Sequence, residues 1–331
     1  MYHKYFKLKE EPFANTTDPR FLFRSAGHQE ALERLISSVS LRRGINAIIG
    51  EPGLGKSTLI RTLLSGLRET VNFAWVFNTT MDAKELLRFI CRDFGFYPSS
   101  FDKSDLLIEL YTFFVRETKE GRTPLLIIDE AQNLQPDALE EIRLLSNLET
   151  AEQKLVQIIL SGQPQLEAHL ALPELTQLRQ RITFKATLRR MDASETAAFV
   201  RHRLSVAGAK TDDLFSEGAL LHVYEISGGI PRLINQICDN ALMVAAQRKQ
   251  PRIDAVLIRE LADKGAVMKA PEIERPPAVV APAKHPSLPP ARPRDAAECR
   301  TAEPRDRETR TIRDKSDIFE AIDIIELISV I

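Results

Sequence analysis

The chain has 331 residues, 44% of them hydrophobic and 27% charged. That is enough apolar content to offset the conformational entropy of folding, and too much length for one small core, so a globally disordered chain and a single-core mini-protein are both excluded. Its 45 basic residues nearly cancel 46 acidic ones, so no whole-protein positive field argues for nucleic acid or an anionic membrane.

The N-terminal run MYHKYFKLKEEPF mixes charge with aromatics and lacks the apolar centre of a signal peptide. Nowhere do 18 apolar residues follow one another, the length needed to cross a bilayer. A membrane role is therefore expected only peripherally, through a partner. The cysteines Cys91, Cys238 and Cys299 form neither a CxxC pair nor an even set, which points to a reducing, cytoplasmic compartment.

HQEALERLISSV sets Ala31, Leu32, Leu35, Ile36 and Val39 on one helical face, ahead of the short apolar run INAII at 45–49. Further runs, FAWVF at 73–77, LLIID at 125–129 and LVQIILS at 155–161, alternate with helical patterns such as PDALEEIRLLSNLE. Strand and helix in alternation predict an α/β fold, a three-layer arrangement with a parallel sheet covered on both faces. Over 188–267 the strand signal stops, and Asp192 and Glu195 stand at capping-box spacing at the head of one helix in a small helical domain. The expected division is 1–187 for the α/β domain, 188–267 for the helical lid and 268–331 for a tail. The tail carries nine prolines between 271 and 310 and reads as a disordered, partly extended linker. It ends in TIRDKSDIFEAIDIIELISVI, readable as a short amphipathic docking helix or as a frayed terminus.

Between the strand at 45–49 and the helical STLIRTLLSGL lies Gly50-Glu51-Pro52-Gly53-Leu54-Gly55-Lys56-Ser57, a full GxxxxGK[ST] loop followed by Thr58. Glycines let the backbone curl so that successive N–H groups and the helix N-terminus face phosphate oxygens. Lys56 is placed to neutralise the β- and γ-phosphates of ATP, and the Ser57 hydroxyl to coordinate Mg2+. The run Leu125–Ile128 delivers Asp129 and Glu130 to a strand end. There Asp129 would hold Mg2+ and Glu130 would polarise the water attacking the γ-phosphate. ATP hydrolysis is the expected activity.

Asp129-Glu130-Ala131-Gln132 resembles a helicase DEAx box, but only about eighty helical residues follow, too few for a second nucleotide-sandwiching domain. No NKxD guanine motif is present. The pattern left is a P-loop NTPase with a helical lid, the AAA+ plan. On that plan a polar residue after LVQIIL, Gln163 or alternatively Ser161, would touch the attacking water or γ-phosphate. Arg179 or Arg181 of Leu178-Arg179-Gln180-Arg181-Ile182 would reach a neighbouring subunit's γ-phosphate. Gly228-Gly229-Ile230-Pro231-Arg232 starts a helix with proline near its first position, and Arg232 would close onto bound ATP.

YFKLKEEPF, DPRFLFRSAGHQEALERL, GEPGLGKSTL, LLIIDEAQNL, ILSGQPQL, LRQRI and SGGIPRLINQICDNAL, in this order over about residues 1–265, resemble the ExeA/GspA-type secretion ATPases. The resemblance implies an oligomeric ATPase working with an inner-membrane or secretion-system partner, with Phe21 to His28 helping to enclose the base. No transmembrane helix or peptidoglycan-binding segment is expected after the ATPase region, which weakens a cell-wall role specifically and leaves a soluble regulator as the alternative expectation. Alternatives are a DNA-binding transposition regulator of the IstB/TnsC sort, disfavoured by near-neutral charge and the lack of a basic helix-turn-helix, and a nucleotide-gated scaffold with little turnover, which the intact Glu130 argues against.

Overall fold

The computed structural model describes residues 2–270, apart from 15, 17, 68, 78–80, 212 and 266. The proline-rich segment and the terminal amphipathic run lie outside the described residues.

The chain opens with a short helix α1 (Tyr2–Tyr5) and reaches α2 (Ala26–Ser40) and strand β1 (Ile45–Ile49). It continues through α3 (Lys56–Gly66), β2 (Val71–Val76), α4 (Ala83–Asp93), α5 (Lys103–Lys119) and β3 (Thr123–Ile128). Then come α6 (Pro136–Leu145), β4 (Gln157–Gly162), α7 (Pro164–Leu170), α8 (Thr176–Gln180) and β5 (Ile182–Thr187). Four helices close the described chain: α9 (Ala193–Val206), α10 (Glu217–Ser227), α11 (Pro231–Gln247) and α12 (Ala255–Asp263).

The strands form one five-stranded sheet in the order β2-β3-β4-β1-β5, parallel throughout. Apolar runs in the central strands follow from burial on both faces. Leu126, Ile128, Ile158 and Leu160 pack toward α4, α5 and α6, while Leu125, Ile127 and Ile159 pack toward α2 and α3. This is the three-layer parallel α/β arrangement expected from the strand–helix alternation. Edge strand β5 was not singled out in the sequence, because its burial alternates and it lacks the continuous apolar run of its neighbours. Cys91 and Cys238 are buried free thiols, and burial pushes the Cys91 thiol up to about 12.

Helices α9 to α12 pack around a separate apolar cluster that includes Val200, Val223, Ile237, Leu242 and Ile258. The capping box holds: the Asp192 carboxylate accepts from the Glu195 amide at 2.8 Å, and Glu195 returns the bond to the Asp192 amide. Residues 2–14, which the sequence groups with the α/β part, join this helical layer. Tyr2, Leu8 and Phe13 belong to its cluster, the Tyr2 hydroxyl donates to Asp239, and the Lys9 amide donates to the Ala207 carbonyl at 2.8 Å. By contrast α2 packs on the sheet side, so the chain crosses from one body to the other between them.

The connection from β5 into α9 is fixed against the turn before α11. The Met191 amide donates to the Gly229 carbonyl at 2.9 Å. Gly229 has φ +74°, and a Cβ there would sit 1.9 Å from the Met191 carbonyl oxygen. No side chain fits that approach without moving backbone. Gly229→Ala is therefore expected to cost more than about 2 kcal/mol of stability in urea unfolding.

Candidate active site

Strand β1 ends at Ile49 and the glycine loop begins at once, with α3 starting at Lys56. Gly53 and Gly55 take φ of +85° and +95°, the left-handed turns that curl a phosphate loop. The Lys56 ammonium is buried and donates to the carbonyls of Gly50 at 2.8 Å and Glu51 at 3.3 Å. Burial pulls its pKa down, while Glu130 and Asp129 pull it back. Among the described residues the ammonium makes no salt bridge, and its partners are loop carbonyls.

The acidic pair follows β3. The Ser57 hydroxyl donates to one Asp129 carboxylate oxygen at 2.8 Å, and the Ser161 hydroxyl, from buried β4, donates to the other at 2.7 Å. One carboxylate thus joins the ends of three strands. Hydroxyl and carboxylate are hard oxygen donors suited to Mg2+, which commonly takes one or two protein oxygens and completes its shell with phosphate and water. Among the described residues no group of three or more His, Cys, Asp or Glu could form an all-protein cage, so the donor set fits a metal arriving with a phosphate ligand.

Glu130 adopts a left-handed backbone at φ +51°, unusual for a residue with a Cβ. One oxygen of its carboxylate accepts from the side-chain amides of Gln132 at 2.7 Å and Gln163 at 2.8 Å. The Gln132 carbonyl in turn accepts from the Gln163 backbone amide at 3.0 Å. Burial disfavours its charge, but the two amides and Lys56 outweigh burial and hold the carboxyl below its ordinary value. Gln163 therefore sits on Glu130, and Ser161 on Asp129.

Lid and loop meet directly. The Arg232 amide donates to the Gly53 carbonyl at 3.2 Å, and a Cβ at Gly53 would lie 2.8 Å from the Arg232 Cβ, so glycine is needed there for contact. Arg232, Phe21, Phe23, Phe199 and Arg203 line, with the loop, a cavity of about 410 Å3. Arg203 is buried, donates to the Pro12 and Ala14 carbonyls at 2.6 and 3.2 Å, and lies over the Phe21 ring. Thr58 follows Ser57 in α3 and lines the same cavity.

Two side chains support the loop from outside it. Glu51 of the loop is gripped at both oxygens by Arg190, from the connection between β5 and α9. His28 is buried beneath the loop, its Nε2 2.9 Å from the Leu54 carbonyl and its Nδ1 2.8 Å from the Ser25 hydroxyl. The carbonyl can only accept, so Nε2 carries the proton and Nδ1 accepts from the serine. The two candidate trans arginines differ: Arg181 donates to the Arg143 carbonyl at 3.0 Å and the Ser146 hydroxyl at 3.1 Å, whereas Arg179 is exposed.

A family model described as AAA domain matches residues 40–170. With the parallel sheet and the phosphate loop this gives the chain an AAA+ P-loop fold, and its sequence is similar to the ExeA/GspA-type proteins. General secretion pathway protein A of Aeromonas hydrophila is 39% identical over 254 residues, covering 76% of this chain and 46% of that protein. The chain thus spans about half the length of the curated relative it matches. Two solved structures share the fold. The ORC2 protein of Aeropyrum pernix in ADPNP–ADP complexes has TM-score 0.61 at 19% identity, covering 77% of this chain and 72% of that one. Cdc6p of Pyrobaculum aerophilum has TM-score 0.60 at 17% identity, covering 80% and 71%.

Burial lowers the pKa of both His28 and His202. A depressed histidine favours folding fully above the unfolded value of about 6.5, and that contribution is lost as pH falls through it. Between about pH 6.5 and 5, His28→Gln should lose less stability than the parent, read as unfolding midpoints across pH.

Proposed function

We infer that the chain binds Mg·ATP in the cavity between phosphate loop and helical lid, hydrolyses it, and passes the change of nucleotide state to a partner in a secretion or export system. The observation that carries this is the 2.8 Å contact between Ser57 and Asp129, which puts the phosphate-binding loop and the acidic strand end at one point. Likeness to general secretion pathway protein A supports the process.

In this reading the loop amides and the α3 N-terminus receive the phosphates, and Lys56 turns from the Gly50 carbonyl to the β- and γ-oxygens. Ser57 and Asp129 would hold Mg2+, which would supply neutralisation of the phosphate charge. Glu130, charged in this site, orients the attacking water and accepts its proton, with Gln163 and Gln132 setting the direction of its carboxylate. Arg232 closes from the lid. The γ-phosphate's remaining charge is met by an arginine of a neighbouring copy, and Arg179 suits that role because it is exposed while Arg181 caps the end of α6. Work at the inner membrane would require a partner, since among the described residues no helix is long and apolar enough to cross a bilayer.

Glu130→Gln should retain ATP while hydrolysis falls about 10²- to 10³-fold, and Lys56→Ala should weaken ATP binding at least about tenfold, both followed by phosphate release beside equilibrium binding. Failure of the parent to bind ATP with Mg2+ would overturn the reading. Turnover per subunit should rise with protein concentration, and Arg179→Ala should abolish that rise with a loss of about a hundredfold or more, while Arg181→Ala acts mainly on stability. A rate independent of concentration removes the trans arginine.

A further inference from the structure

The phosphate loop carries a carboxylate of its own. Glu51 is the first variable residue of GxxxxGK, and its carbonyl accepts from the Lys56 ammonium at 3.3 Å, one hydrogen bond from the lysine that meets phosphate in the reading above. Asp129 and Glu130 already act on Lys56 with two negative charges. Glu51 adds a third where a polyphosphate has to land, and like charges at such range repel. Its side chain borders a second cavity, beside Asn235 and Asp239 of α11, and not the cavity that Lys56 lines. The carboxylate therefore acts on the phosphate site through its field and the shape of the loop, not by contact.

Arg190 meets that charge. Its Nε donates to one Glu51 oxygen at 2.9 Å and its Nη2 to the other, with the guanidinium side chain 13% exposed and the carboxylate side chain 35%. Exposed ion pairs are screened and worth little; a sheltered one bonded at both oxygens holds its two charges together. The pairing is also long-range. Arg190 stands 139 residues beyond Glu51, and a Cβ at Gly228 would lie 3.2 Å from its Nη1, so the guanidinium fills the space between the loop and the turn that leads into α11.

We propose that Arg190 is a positioning residue for nucleotide binding, which cancels the Glu51 charge beside the phosphate loop and so leaves the loop attractive to a polyphosphate. The inference rests on the ATP-site reading above and deepens it. A brace that only held the loop's shape would fail whichever partner were removed, whereas a charge shield fails only when the carboxylate is left without its arginine.

The test is calorimetric binding of Mg·ATP and magnesium tripolyphosphate to the full chain, Arg190→Gln, Glu51→Gln and the double variant, at low and at raised salt, with melting temperatures as a control. Arg190→Gln should bind both ligands about tenfold more weakly, and the loss should shrink as salt rises. Glu51→Gln, which leaves the arginine's charge uncancelled, should bind both about threefold more tightly than the parent, and the double variant should recover what Arg190→Gln lost. Arg190→Lys keeps the charge without the two-pronged geometry; it should retain most of the parent's affinity, and with Glu51→Gln it carries the test if Arg190→Gln does not fold. Parent-like affinity in Arg190→Gln would overturn the proposal, as would a Glu51→Gln that binds no better than the parent, a double variant no better than Arg190→Gln, or a loss seen with ATP and absent with tripolyphosphate. A parent that binds no Mg·ATP would instead sink the underlying site.

Discussion

One carboxylate organises the site. Asp129 stands at the end of β3 and accepts hydroxyls from Ser57, at the start of α3 after β1, and Ser161, at the end of β4. Because β4 lies between β3 and β1 in the sheet, the three strand ends are drawn to one crevice at the carboxyl edge, where open parallel sheets bind ligands. The phosphate loop, the acidic pair and the polar end of β4 are functionally related only because the sheet order makes them neighbours. A different strand order with the same sequence motifs would scatter them.

The parts legible in the sequence are those whose chemistry is local. The loop from Gly50 to Ser57 is contiguous, so its glycines, lysine and serine declare themselves by spacing. Asp129 and Glu130 declare themselves by following an uninterrupted apolar run. The parallel sheet is legible for the same reason, in its central strands and not in edge strand β5, whose half-exposed pattern resembles a surface segment. What spacing could not supply is contact between residues far apart. Spacing suggests that Gln163 reaches for water or phosphate, whereas its amide lies on Glu130, a pairing set by how β4 and β3 end side by side. Arg190 and Asn235 lack even that hint: each is one residue in an ordinary helix or connection, and only folding brings it to the loop's glutamate or the cavity wall, while His28, grouped by resemblance with the segment enclosing the base, lies against the loop carbonyl of Leu54.

Electrostatics in the site are graded. Lys56 rests on carbonyls, its pKa drawn down by burial, while Glu130 is held charged by two amides against the same burial. The lysine is thus held by loop carbonyls with burial acting against its charge, and the glutamate by side-chain amides in favour of its charge. Arg190 on Glu51 and Arg232 on Gly53 make the loop a shared boundary, contacted from the helical side at two points.

The N-terminal arm belongs to the helical side of that boundary. Tyr2, Leu8 and Phe13 sit in the helical cluster, and so does Val267, while the Ala270 amide donates to the Ile226 carbonyl at 2.9 Å. Both ends of the described chain are therefore moored on the same body. Tension on either flank would be felt by α9 to α12 before it reached the sheet.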